Sequence, residues 1–98
     1  MSDIHLYDVL TRPVITEKTN LMAADNAQYT FEVDLRANKI QIKEAVEIIF
    51  DVRVAKVATM IMPAKRGQRG RKIYQRKKAW KKAVVTLVPG NSIDLFNL

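Results

Sequence analysis

Ten of the 18 residues from Lys65 to Lys82 are cationic: Lys65, Arg66, Arg69, Arg71, Lys72, Arg76, Lys77, Lys78, Lys81 and Lys82. No aspartate or glutamate interrupts them, and none occurs anywhere between Asp51 and Asp94. A block of like charge repels itself, cannot pack into a core, and needs a polyanion to neutralise it. Nucleic acid and an anionic membrane surface are the candidates. Arginine clamps phosphate oxygens in pairs and lysine adds point charge. Gly67 and Gly70 let the backbone come close to a sugar–phosphate chain. Tyr74 and Trp80 sit among the cations and offer ring faces on which unpaired bases stack. For Trp80, packing at the base of a hairpin is an equal alternative.

Other chemistry has little to build on. The chain has no cysteine, which removes disulfide scaffolds, thiolate metal sites and thiol nucleophiles. Its one histidine, His5, cannot supply a multi-histidine metal site, and a Ser-His-Asp triad has almost nothing else to draw on. Glu44, Glu47 and Asp51 share a predicted helix, but Lys43 and Glu47 form an i, i+4 pair and the set reads as a solvated helix face. No glycine-rich phosphate loop precedes a helix. These absences exclude no binding role; they point away from an enzyme and toward a binding or structural protein with no metal and no cofactor.

The charge is divided along the chain. Residues 1–51 carry five basic and nine acidic side chains, residues 52–98 twelve basic and one acidic; the total is +7. The longest charge-free run, Ala83–Ile93, is far short of the ~20 apolar residues of a spanning helix and contains Pro89 and Gly90. The first residues have neither a basic nor an apolar segment of a signal peptide. A cytoplasmic protein without membrane insertion is expected, formed as a single domain over 1–98 with 48% hydrophobic residues.

The elements that must hold the basic block follow from periodicity. Leu6–Leu10 predicts one or two helical turns, stopped by Pro13. Pro13–Thr16 reads as a short extended edge segment. Thr16 caps a helix with Glu17 in its first turn, an apolar face at Leu21 and Met22, and a stop at Asp25–Asn26. Ala27–Leu35 alternates, with Tyr29, Phe31, Val33 and Leu35 facing one way, and predicts a half-buried strand. Asn38 and Gln41 form a capping box before a helix whose stripe is Ile42, Ala45, Val46, Ile49 and Phe50. Val52–Met62 is a strand in which Val54 and Val57 differ in parity; a bulge or burial on both faces explains that equally. Ala83–Val88 is a second such strand, closed by Pro89-Gly90. Length excludes a two-residue turn between the last two strands, and Gly67 and Gly70 disfavour a helix, which leaves an irregular loop or an extended hairpin over about 64–80. The fold class is α+β: a largely antiparallel sheet of about four strands packed by helices, with a long basic hairpin loop.

Several segments together resemble a known family. Arg12-Pro13-Val14-Ile15-Thr16-Glu17-Lys18 is similar to the "P-x-I-T-E-K" opening of the bacterial-type large-subunit ribosomal protein number twenty-three. Asn38–Lys43 with Ala45-Val46 resembles its central helix. Lys65-Arg66-Gly67, Gly70-Arg71, Trp80-Lys81-Lys82-Ala83 and Val85-Thr86-Leu87 resemble its loop and last strand, and Gly90–Phe96 its tail. Thr19 stands where the family commonly has serine, Met22–Gln28 matches no family pattern, and the long loop distinguishes the chain from archaeal-type members. The resemblance implies a structural role on the ribosome. Its expected partners are large-subunit (23S) rRNA near the peptide exit tunnel and the neighbouring large-subunit protein number twenty-nine. Trigger factor and the signal recognition particle are expected to dock at positions matching Ile15 and Glu17. The alternative is a free RNA- or DNA-binding regulator using the same hairpin.

Overall fold

The computed structural model describes residues 5–69 and 72–94, those of 65–69 and 72–77 by their backbone. The segment Leu95-Phe96 of the expected tail, and Gly70 and Arg71 of the basic block, lie outside the described residues. The elements run α1 (Leu6–Val9), β1 (Leu10–Pro13), α2 (Glu17–Asn26), β2 (Gln28–Val33), α3 (Lys39–Phe50), β3 (Val54–Met62), β4 (Lys65–Arg69), β5 (Lys72–Lys77) and β6 (Trp80–Leu87). Four strands make one antiparallel sheet in the order β1-β2-β6-β3; β4 and β5 pair separately. This is the α+β class expected from the alternating segments.

The helix starts are built as their sequences dictate. Asn38 accepts from the Gln41 amide at 2.8 Å while the Asn38 amide donates to the Gln41 side chain at 3.0 Å, so two otherwise unpaired donors are satisfied. Thr16 and Thr19 do the same for α2: the Thr19 amide donates to the Thr16 hydroxyl at 3.1 Å, and the Thr16 amide donates to the Thr19 hydroxyl at 2.7 Å. A threonine thus fills the position usually held by Glu or Gln. The capping role of Thr19 is invisible to a search for the usual pattern.

Helix α3 lays Ile42, Ala45 and Val46, all buried, on one face of the sheet. The sheet answers with Tyr29, Phe31 and Val33 from β2 and Ala83, Val85 and Leu87 from β6. Register explains the match: Tyr29 lies opposite Val85 and Phe31 opposite Ala83, so these side chains share a face. Phe31 meets Phe50 at a ring-centroid distance of 5.7 Å, closing the core under the end of α3. Val9 of α1, Ala37, Val54 of β3 and Ile93 complete the cluster, and the Ile93 amide donates to the Tyr29 hydroxyl at 3.1 Å.

Several boundaries differ from expectation. The first edge strand is Leu10–Pro13, earlier than Pro13–Thr16, because the helical segment ends at Val9 and the chain pairs with β2 at once. Helix α2 runs through Asp25-Asn26 and stops at Ala27, which takes the left-handed conformation (φ 53°). Its face is shifted from the expected one: Met22 is half-buried, but Leu21 is exposed and Ala23 packs on the core. Strand β2 ends at Val33, and Leu35 stands exposed in the following turn. Strand β6 begins three residues early, at Trp80, so the tryptophan and the two lysines after it belong to the sheet.

The parity problem in β3 is resolved by a bulge. Val54 lies opposite Leu87 and Lys56 opposite Thr86, so two steps on β3 match one on β6 and Ala55 is the extra residue. Val54 and Val57, opposite Leu87 and Val85, therefore both reach the α3 face.

Candidate nucleic-acid interface

The basic block is carried by paired strands. In β4 and β5, Lys65 lies opposite Lys77, Gly67 opposite Tyr74, Gln68 opposite Ile73 and Arg69 opposite Lys72, with an irregularity near Arg66, which faces Gln75. Positions 70 and 71, which separate Arg69 from Lys72, lie outside the described residues. Cations face cations at both ends of this hairpin. Like charges directly opposite each other destabilise a strand pair, so the pairing is improved by any polyanion laid along it. Gly67 and Tyr74, two of the sequence-predicted contact residues, are brought opposite each other.

At the hairpin's base, strand periodicity separates the remaining candidates. Lys78 is exposed. Lys81 points to the α3 side, where its ammonium donates to the Ala37 carbonyl and ties β6 to the loop before α3. Trp80 and Lys82 point to the other side: Trp80 lies opposite Met62, and Lys82 lies between Glu32 and Met60. Trp80 is half-buried, compatible with both readings of its ring.

Two cations outside the basic block join Lys82 on its side of the sheet. Arg12 holds Glu32 at 3.1 Å, and Glu32 lies opposite Lys82; Lys56 lies opposite Thr86, two residues further along the same face of β6 than Val84. Neither belongs to a run of charge. The signal that finds them is parity combined with register, and the register depends on the Ala55 bulge.

The carboxylates are placed elsewhere and made structural. The Val54 amide donates to Glu47 at 3.1 Å, fastening the end of α3 to the start of β3, so this side chain is not merely a member of a solvated face. Asp51 takes the left-handed position after α3. The Arg36 side chain, and after it the Arg36 backbone amide, donate to Asp34 and hold its carboxyl below the usual aspartate range. His5, at the start of α1, accepts from the Tyr7 amide at 3.3 Å and stacks on the Tyr7 ring. Among the described residues, no group of three or more His, Cys, Asp and Glu side chains is arranged to hold a metal ion.

The two residues singled out by resemblance lie together at the opposite end of β1 from α1. Glu17 opens α2 directly after the Thr16 cap and is exposed; Ile15, just before the cap, is 43% exposed. An apolar and an acidic side chain are thus presented side by side at a capped helix start.

Comparison with known proteins matches this architecture to one family. A family model described as "Ribosomal protein L23" matches residues 8–95. The large ribosomal subunit protein uL23 of Desulfatibacillum aliphaticivorans is 45% identical, covering 96% of this chain and 98% of its own. Its counterpart in Desulforapulum autotrophicum is 50% identical over 92% of this chain and 94% of its own, and that of Roseiflexus sp. strain RS-1 is 52% identical over 92% and 94%. With matches of this extent, the chain belongs to the ribosomal protein L23 family, whose members are structural ribosomal proteins and not enzymes.

Proposed function

We propose that this chain is a structural component of the large ribosomal subunit that binds 23S rRNA through its basic hairpin, over about 64–80, as a single RNA-binding domain. The observation that carries the reading is the acid-free stretch from 52 to 93, folded as a hairpin whose opposed cations need an external anion. The relatives' names supply the setting, a large ribosomal subunit. In that setting the chain works in the cytoplasm, on the ribosome near the peptide exit tunnel and beside large-subunit protein number twenty-nine. Phosphate contacts come from Lys65, Arg66, Arg69, Arg71, Lys72, Arg76, Lys77, Lys78 and Lys82; Lys81, expected with them, is instead engaged by the Ala37 carbonyl on the α3 side. Gly67 and Gly70 allow close approach, and Tyr74 and Trp80 stack on bases.

Replacing Arg66, Arg69, Arg71 and Lys72 together by alanine tests this. Each lost phosphate contact lowers the slope of log affinity against log salt by about 0.7–0.9, so four lower it by roughly three. An unchanged affinity for 23S rRNA and an unchanged slope overturn the reading. Sedimentation separates it from a free regulator: the ribosomal component stays with large subunits through a high-salt gradient, whereas a regulator is washed off.

The same proposal gives Ile15 and Glu17 a docking role for trigger factor and the signal recognition particle. Support comes from their exposure beside a capped helix start. A rim carboxylate mainly changes encounter and salt dependence. Glu17→Ala is expected to leave ribosome assembly unchanged and to weaken trigger factor binding, more so at low salt. Normal binding to mutant ribosomes removes the docking role.

A further inference from the structure

The sheet face turned away from α3 is exposed along β3 and becomes covered toward β2, where Thr30, opposite Val84, is buried. Along β3 its side chains are Lys56, Ala58 and Met60; Ala58 is exposed and Met60 is 45% exposed. Their partners on β6 are half-buried, in contrast to the buried Ala83, Val85 and Leu87 one residue out of step. This surface is cationic: Lys56 and Lys82 stand on it and Arg12 at its rim, and among the described strand residues of this face the one carboxylate, Glu32, is already held by Arg12. Four residues of strand separate the levels of Lys82 and Lys56, about 14 Å. That exceeds the ~10 Å screening length at 0.1 M salt, so the two act on different parts of an anionic ligand.

We propose that this open face is a second contact surface for RNA, separate from the hairpin and gripping the sugar–phosphate backbone through Lys56, Lys82 and Arg12. It rests on the rRNA-binding reading and adds a site to it. Three observations select RNA over a protein partner. The face has a surplus of positive charge, whereas the centre of a protein interface is depleted in lysine. It runs directly into the base of the hairpin through Trp80, which lies opposite Met62 on the same face and is half-buried. Finally, a sheet face bearing an aromatic ring and flanking cations is a general solution to single-stranded RNA recognition.

The test compares three forms of the full chain for affinity to a 23S rRNA transcript across a salt series: wild type, Lys56→Glu/Lys82→Glu, and Arg66→Ala/Arg69→Ala/Lys72→Ala. The open-face double variant is expected to bind roughly tenfold more weakly or worse, with a salt slope lower by about two. A double variant that binds within twofold of wild type with the same slope, while the hairpin variant weakens, overturns the second surface and leaves the hairpin reading standing. Loss of RNA binding by wild type itself overturns both. To separate binding from folding, lysine acetylation of the wild-type chain is mapped by mass spectrometry with and without the transcript. Protection of Lys56 and Lys82 by RNA alone supports the proposal; protection that appears only when other ribosomal proteins are added assigns the face to a protein and overturns it.

Discussion

Strands β2 and β6 lie side by side in one sheet and contribute equally to its core, yet their outward faces differ. On β2, Glu32 is paired with Arg12, and just beyond the strand Asp34 is paired with Arg36. Both described salt bridges lie within residues 1–51, the half of the chain that holds nine of its ten acids. On β6, Lys82 has only the shared Glu32 opposite it, and the strands and hairpin from 54 to 87 contain no acid at all. The first half of the chain carries the acids and the capped helices. The second half is strongly basic, and β6 carries both kinds of residue at once, with Ala83, Val85 and Leu87 buried on one face and Lys82 on the other. Core and surface charge are therefore kept apart by the face of the sheet that a residue occupies rather than by the stretch of sequence to which it belongs.

The hardest test of this separation is the core. Phe31→Ala removes a ring that is 1% exposed and packed on Phe50, and it is expected to cost about 3–5 kcal/mol in equilibrium denaturation. Arg69→Ala is expected to change stability by less than ~0.5 kcal/mol. A comparable loss at Arg69 would break the division.

The neighbours Lys81 and Lys82 sharpen it. Lys81→Met removes a charged donor from the Ala37 carbonyl and is expected to cost about 1.5 kcal/mol, while Lys82→Met costs under ~0.5 kcal/mol in the same thermal or chemical melts. If both cost the same, alternation along β6 does not separate structural from ligand-facing charge.

Smaller effects come from the caps. Thr16→Ala or Asn38→Ala is expected to cost about 1 kcal/mol, and Glu17→Ala only a few tenths, measured by shifts in denaturation midpoint. The smallest effect concerns acid stability. Asp34 titrates lower in the folded chain than its ordinary value of 3.8, so its contribution is present above that value and is lost as the pH falls through the lower, folded one. Asp34→Asn is expected to remove that small contribution throughout the neutral range and to converge with wild type at the acid end of the window, so that stability varies less with pH; a pH series of melts reads this directly.

Much of this architecture is legible in the residues because local and tertiary signals agree. The alternation of Tyr29, Phe31 and Val33, the Asn38–Gln41 box and the stripe from Ile42 to Phe50 each specify an element and its buried face. Where the signals part, the reading slips. Leu21 and Leu35 are apolar but exposed, because helix phase and strand end are set by neighbours that no local window contains. Trp80 to Lys82 look like loop by charge, and only pairing with β2 and β3 makes them strand. The candidate site divides the same way: a dense run of cations is conspicuous, whereas Arg12 and Lys56 join the face of Lys82 only through register.

The extra residue Ala55 has a consequence for how the chain tolerates insertion and deletion. It works as a phase shifter: upstream of it Val54 is in step with the core, and downstream the odd-numbered residues are. Deleting Ala55 would remove only the extra residue: Val54 would stay opposite Leu87 and Lys56 opposite Thr86, and the strand would straighten with every face kept. Deleting a residue further along, Ala58 for example, would leave each residue beyond it one step out of phase with β6. A single codon lost there would be a frameshift in space rather than in reading, exchanging the dry and wet sides of the rest of the strand, whereas one lost at Ala55 would be absorbed.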